Sequence, residues 1–209
     1  MYKERLRIHL IELPGFDDPY RSAAEVLEEV ASWLSDIYNK NSQLSGIIYL
    51  HRISDARLRG SDRTNLAMLQ KLCGPDSFPN IILATTFWDN IEPSVGAERE
   101  KELVEREDLW GSMLSRGSVV ARHSGSRQSA LAILEQSLRS RRLLTLQIQM
   151  EVCIKGLSLI ETEAGRQVNE DSLRAQESFK RVISRLKEES EQTRKNRLLW
   201  RQWKDLREA

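Results

Sequence analysis

Asn80-Ile81-Ile82-Leu83-Ala84-Thr85 is a short, nearly continuous apolar run. Runs of this kind belong to strands buried on both faces of a parallel sheet. Upstream, Gly46-Ile47-Ile48-Tyr49-Leu50 repeats the pattern, and downstream Ser118-Val119-Val120-Ala121-Arg122 supplies a last strand. Helical stretches fall in between, from about Thr64 to Cys73 and from about Gly96 to Arg116, and a helix from Ser126 to about Arg139 closes the domain. Strands alternating with helices at this spacing predict an α/β fold, a parallel sheet with helical crossovers on both faces.

Toward the N-terminus, Leu6 to Leu13 reads as a strand that stops at the turn dipeptide Pro14-Gly15. From about Ser22 to Asn39, Val26, Val30, Trp33, Leu34 and Ile37 recur at helical spacing opposite Glu25, Glu28 and Glu29, which predicts an amphipathic helix. Residues 143–160 fit an alternating strand and a heptad equally. Length and the content of Leu, Gln, Met and Glu favour the helix. Gly165 is expected to interrupt it, and Ala175, Phe179, Val182 and Leu186 then carry a second 3-4 stripe before the polar run Glu188 to Asn196. The expected organisation is an α/β domain over residues 1–137 and a helical tail over 138–209, an antiparallel pair or a coiled coil.

The chain has 209 residues, 40% of them hydrophobic and 30% charged, the composition of a globular protein with room for a sizeable core. Residues 1–135 carry 16 Lys/Arg against 20 Asp/Glu, a net −4, and residues 136–209 carry 16 against 11, a net +5. The acidic front half and the lack of a recognisable module in the basic tail argue against nucleic-acid binding. Cys73 and Cys153 stand far apart with no histidine at zinc-ligand spacing, so both are expected as reduced thiols. No signal peptide or membrane span is legible at the N-terminus, and the expected location is cytoplasmic. Arg194 to Lys204 mixes basic residues with Trp200 and Trp203 on a helix. Such a segment suits an anionic membrane, a partner's groove or, as the favoured expectation, packing on the domain or on a second coil.

Two segments carry chemistry. In Ile8-His9-Leu10-Ile11-Glu12-Leu13-Pro14-Gly15-Phe16-Asp17-Asp18, a carboxylate at a strand end precedes Pro-Gly. A carboxylate there can hold the shell of Mg²⁺, and a glycine lets its N–H approach a γ-phosphate; any strand ending in a Pro-Gly turn gives the same pattern. In the second segment the run Ile81–Thr85 leads into Thr86-Phe87-Trp88-Asp89. An aspartate at the carboxyl end of a parallel strand sits where such sheets bind ligands and can accept two hydrogen bonds from a guanine edge. An Asx turn or a helix cap is the alternative use of Asp89.

In order and spacing these segments resemble the switch-two and base-reading motifs of P-loop GTPases (Ras-like G domains), most closely the branch of immunity-associated GTPases and septins. The resemblance runs from about Arg5 to Gln136, carried by E-L-P-G-F-D-D, S-G-I-I-Y-L-H-R-I and I-I-L-A-T-T-F-W-D. It implies GTP or GDP with Mg²⁺, the γ-phosphate sensed by Glu12, Pro14 and Gly15, and magnesium met indirectly through Glu12. The guanine-specifying Asn/Thr-Lys-x-Asp falls on Thr86, Phe87, Trp88 and Asp89, with Phe87 in place of the lysine that covers the base. Phe16 falls where many relatives place the water-positioning glutamine, as in hydrophobic-substituted GTPases, so hydrolysis would need another residue or a dimer partner. Arg122-His123-Ser124-Gly125-Ser126 stands at the family's second base contact and adds Gly125 to the nucleotide-binding set.

Nothing in the chain matches G-x-x-x-x-G-K-[S/T], and there is no Gly-Lys dipeptide. In the family the phosphate-loop strand lies between the strands that correspond to Leu10 and Ile48. Its omission leaves three expectations: the two strands re-pair, another chain fills the slot, or the sequence is a truncated GTPase without hydrolysis of its own, the last ranked first. The alternative function is a nucleotide-free interaction or scaffold module acting through its tail, as a homodimer or with a helical partner. His9, His51 and His123 lack partners at catalytic spacing, and Ser124-Gly125-Ser126 is not a nucleophile elbow.

Overall fold

The computed structural model describes residues 7–16, 18–55, 60–139 and 144–208, with side chains placed up to residue 188. Three strands, β1 (Ile47–Arg52), β2 (Ile81–Thr86) and β3 (Val119–Arg122), form a parallel sheet in the order β1-β2-β3. Ile47 pairs with Ile81 and Ile82 with Val119, which fixes both registers. All six residues of β2 are buried, as expected for the central strand of a parallel sheet covered on both faces. The chain is α/β.

Helices supply the crossovers. α1 (Ala23–Asn39) precedes β1, α2 (Gly60–Cys73) joins β1 to β2, α3 (Pro93–Glu105) and the one-turn α4 (Ser112–Leu114) lie between β2 and β3, and α5 (Arg127–Ser137) follows β3. α1 begins at Ser22, whose Oγ accepts from Glu25 N–H at 3.3 Å while the Glu25 carboxylate accepts from Ser22 N–H at 2.7 Å. A reciprocal cap of this kind contributes about 1 kcal/mol. The helix buries Val26, Leu27, Val30, Ala31 and Leu34. On one sheet face Ile82, Ala84 and Ile133 cluster with Ile48 and Ala121. Trp110, Met68, Ile81 and Leu83 are among the largest side chains wholly removed from solvent.

Four expectations are corrected. The stretch Leu6–Leu13 is not a strand over its described residues: 7–15 join no sheet, and Ile8, Leu10, Ile11 and Leu13 are exposed. A parallel strand needs a neighbour's backbone, and this segment pairs with none among the described residues. The helix expected to Arg116 stops at Glu105, because Arg106 turns extended and its guanidinium is drawn to Glu102 and Asp108; a π-turn over Glu107–Gly111 follows. Within the described residues 144–160, helical backbone covers α6 (Gln147–Gln149) and the π-turn Met150–Ile154, ends before Gly156 at φ +68°, and resumes only in the 3-10 turn Leu159–Glu161. Gly165 does not break a helix. It lies in the first turn of α7 (Glu163–Glu208), where a Cβ would sit 1.9 Å from the Leu159 carbonyl oxygen.

The chain divides into Met1–Gln167 and Val168–Ala209. Residues 144–167 therefore go with the sheet. Leu144, Leu146 and Ile148 are buried there, and buried Gln149 donates to the Leu34 carbonyl of α1 at 2.8 Å while accepting from Leu146 N–H at 2.9 Å. The second unit is the body of α7, a single helix on which Leu173, Phe179, Val182, Ile183 and Leu186 are exposed. The backbone of Arg194–Lys204 is helical, and the side chains of Trp200 and Trp203 lie outside the described residues. Among the described residues, no helix is long and apolar enough to cross a membrane.

Candidate base-reading site

A parallel sheet sends the loops that leave its strands to one edge, and ligands of such sheets gather there. Here that edge carries the ends of β1, β2 and β3. β2 ends in Thr85-Thr86, and both hydroxyls are committed to neighbours. Thr86 Oγ1 donates to the His51 carbonyl at 3.2 Å. Thr85 Oγ1 accepts from the Trp88 indole N–H at 3.0 Å and lies 3.1 Å from Glu100 Oε1 as a donor. The loop after β2 is thereby held to β1 on one side and to α3 on the other.

Phe87 makes the turn out of the strand in the left-handed region, φ 60° and ψ 40°, a conformation that costs a residue with a Cβ about 1 kcal/mol or more. A ring placed there projects outward, and Phe87 is exposed with the Arg52 guanidinium 4.3 Å from its centroid. Trp88 turns the opposite way. Its ring lies on Gly96 of α3, where a Cβ would approach Cζ3 to 2.8 Å, and the Arg122 guanidinium sits 4.2 Å above it. Arg122 Nε donates to Glu100 at 2.9 Å, and the hydrogen bond to the Glu100 carboxylate raises the Arg122 pKa. Asp89 follows with its carboxylate exposed, making no hydrogen bond or ion pair among the described residues.

The loop after β3 is stapled beside this one. His123 N–H donates to the Thr85 carbonyl at 2.8 Å, and His123 Nδ1 lies 2.8 Å from Ser129 Oγ. Gly125 takes φ +75°, open to solvent, and Ser126 caps α5 through Ser129 N–H at 3.1 Å. Of the sequence-derived site residues, Thr86 ends β2, and Phe87, Trp88, Asp89 and Gly125 belong to two neighbouring loops at the same end of the sheet.

Glu12, Pro14 and Gly15 do not extend any strand of that sheet. Glu12 and Gly15 are exposed, Pro14 is half-buried, and the segment is tied down at Phe16, whose N–H donates to Asn65 Oδ1 of α2 at 2.8 Å. Among the described residues no group of three or more His, Cys, Asp or Glu side chains is placed to hold a metal ion.

Sequence reasoning passed over Arg52, Arg99 and Glu100. Arg99 Nη1 donates to the carbonyls of Ile53, Ser54 and Asp55 at 3.0, 2.9 and 3.1 Å, fixing the loop after β1 to α3. In sequence Arg99 and Glu100 are unremarked charges on a charged helix, and Arg52 is a lone charge at the end of an apolar strand. What distinguishes Glu100, a side chain only 13% exposed, is burial that one-dimensional patterning does not carry. His51 is held neutral more readily than usual because burial lowers its pKa, and its ring meets Trp110 edge-on at 6.0 Å.

No protein-family model matches the chain, and no curated protein matches it.

Proposed function

We propose that the α/β unit is a GTP-binding-domain-like module that reads a guanine base without gripping its phosphates and does not hydrolyse GTP by itself. The observation that supports this most is the free, exposed Asp89 carboxylate beside an outward-facing Phe87 ring, at the carboxyl end of a parallel sheet and next to the loop of Gly125. A carboxylate there accepts two N–H donors of guanine, and the aromatic ring offers a stacking face.

Magnitudes set the affinity. Two charge-assisted hydrogen bonds contribute about 3–6 kcal/mol, stacking about 1–3 kcal/mol, and immobilising the ligand costs about 4 kcal/mol or more. The balance is at most about 5 kcal/mol, a millimolar interaction. Saturation-transfer NMR suits that range. Guanosine is expected to receive magnetisation from the protein, adenosine far less, and Asp89→Ala to abolish the difference. Equal transfer to both nucleosides, or a guanosine signal unaffected by Asp89→Ala, would sink the proposal.

A second reading, a nucleotide-free module that works through a coiled-coil tail as a homodimer or with a helical partner, draws on two features. Arg52 and Arg122 already occupy a face of Phe87 and of Trp88. The exposed Phe179, Val182 and Leu186 of α7 recur at 3-4 spacing, as a coiled-coil seam does. Concentration-dependent sedimentation of the full chain, lost on Phe179→Glu, is the outcome it requires.

A further inference from the structure

β1 has one partnered side. Ile53 N–H donates to the Thr86 carbonyl, and the His51 carbonyl accepts from Thr86 Oγ1, so the odd residues of β1 direct their backbone groups toward β2. In a parallel strand alternate residues face opposite neighbours, which turns the backbone N–H and C=O of Ile48, Leu50 and Arg52 to the other edge. An isolated antiparallel bridge joins Leu44, just before the strand in sequence, to Leu144. From Ile48 to Arg52 nothing among the described residues pairs with that edge, and Leu50 is 63% exposed. The strand lacks the usual protections of an edge, a proline, a lysine or a bulge.

The chain also carries a strand-like segment with no sheet to join. Ile8, Leu10, Ile11 and Leu13 are exposed, Leu10 at 70%, and the segment is tied at Phe16 to α2. We propose that the β1 edge takes up Ile8–Leu13 of a second copy of this chain as a fourth, parallel strand.

Charge selects the direction. β1 is basic at its carboxyl end through Arg52, whereas Arg7-Ile8-His9-Leu10-Ile11-Glu12-Leu13 is basic at its amino end and acidic near its carboxyl end. Antiparallel pairing sets Arg7 against Arg52, and like charges across a pair repel. Parallel pairing with Ile8 beside Ile48 sets Leu10 beside Leu50 and Glu12 beside Arg52 on the same face. The two most exposed apolar side chains of edge and segment then cover each other, and Arg52 gains a carboxylate in addition to Asp55, now 3.8 Å away. The pairing uses β1 and the N-terminal segment alone and does not depend on nucleotide.

The test mixes two full-length chains, one carrying Leu10→Cys and the other Leu50→Cys, each also Cys153→Ser, under mild oxidation. Only pairing between different chains joins those two sulfurs, and Cys73, buried with its thiol pushed up to about 12, stays out of the chemistry. A seated pair meets at millimolar effective concentration against micromolar protein in solution. The mixed disulfide dimer is therefore expected in roughly hundredfold excess over a control in which Tyr20→Cys, on a side chain 93% exposed, replaces Leu10→Cys. No mixed dimer from chains shown folded by circular dichroism, or equal yield from the Tyr20 control, would overturn the proposal.

Discussion

Gly165→Ala separates the expectation from sequence from the structure most sharply. As a helix interior residue, glycine is worse than alanine by about 1 kcal/mol, so propensity alone predicts a stabilised protein. In the structure an alanine Cβ at this position would lie 1.9 Å from the Leu159 carbonyl oxygen and 2.9 Å from Ile160 Cα. Both are backbone atoms that cannot rotate aside, and they belong to the 3-10 turn Leu159–Glu161 that enters α7. Thr162, buried at that entry, accepts from Gly165 N–H at 3.0 Å, so the turn and the helix start move together or not at all. Overpacking costs about 1–3 kcal/mol, and an approach to backbone as close as this belongs at the upper end, about 2–3 kcal/mol, which outweighs the propensity gain and leaves a net loss of about 1–2 kcal/mol. For a unit of this size the loss lowers Tm by about 2–8 °C. Thermal unfolding followed by near-ultraviolet circular dichroism, which reports Trp110 and its surroundings, is the assay. An unchanged or raised Tm would refute the close approach and restore Gly165 as a mere helix breaker.

Further outcomes follow from the same geometry. Trp110→Ala removes a side chain that is 1% exposed and should cost about 3–5 kcal/mol in urea denaturation, enough to unfold a marginal domain. Burial raises the Cys73 thiol to about 12, so it should resist alkylation in the folded protein while half-buried Cys153 reacts. The raised value also fixes a sign: the stability linked to Cys73 is complete below its ordinary value of 9.0 and is lost as pH climbs from there toward about 12, a loss that Cys73→Ala should remove. His51 has the opposite sign. Burial lowers its pKa, so its share of stability is present above the ordinary 6.5 and is lost as pH falls through the depressed folded value, and His51→Phe should flatten that part of the stability profile.

The sheet was legible because its strands are buried on both faces. Ile81–Thr86 and Ile47–Arg52 announce themselves as apolar runs, and parallel pairing follows from the helices between them. The helices expected from about Ser22 and from Ser126 begin there, each with that serine as its cap. Leu6–Leu13 misled because an apolar pattern reports what a segment can do and says nothing of whether an edge is offered to it. Arg106 and Gly156 ended helices through a side-chain ion pair and a positive φ, neither of which disturbs hydrophobic periodicity. In the candidate site, Thr86, Phe87, Trp88 and Asp89 were visible from their place after a buried strand. Arg52, Arg99 and Glu100 were not, since their roles come from contacts at sequence separations of 22 to 46 residues.

The proposed function has the α/β unit reading a guanine base without gripping its phosphates. Parallel ligand-observed NMR titrations of the full-length protein with guanosine and with GDP test it most directly. The account predicts millimolar binding of both, with affinities within about threefold of each other, because the phosphates add no net contact. Micromolar binding of GDP, a hundredfold or more tighter than guanosine, would mean that some segment does hold phosphate, and absence of guanosine binding to folded protein would remove the base site itself.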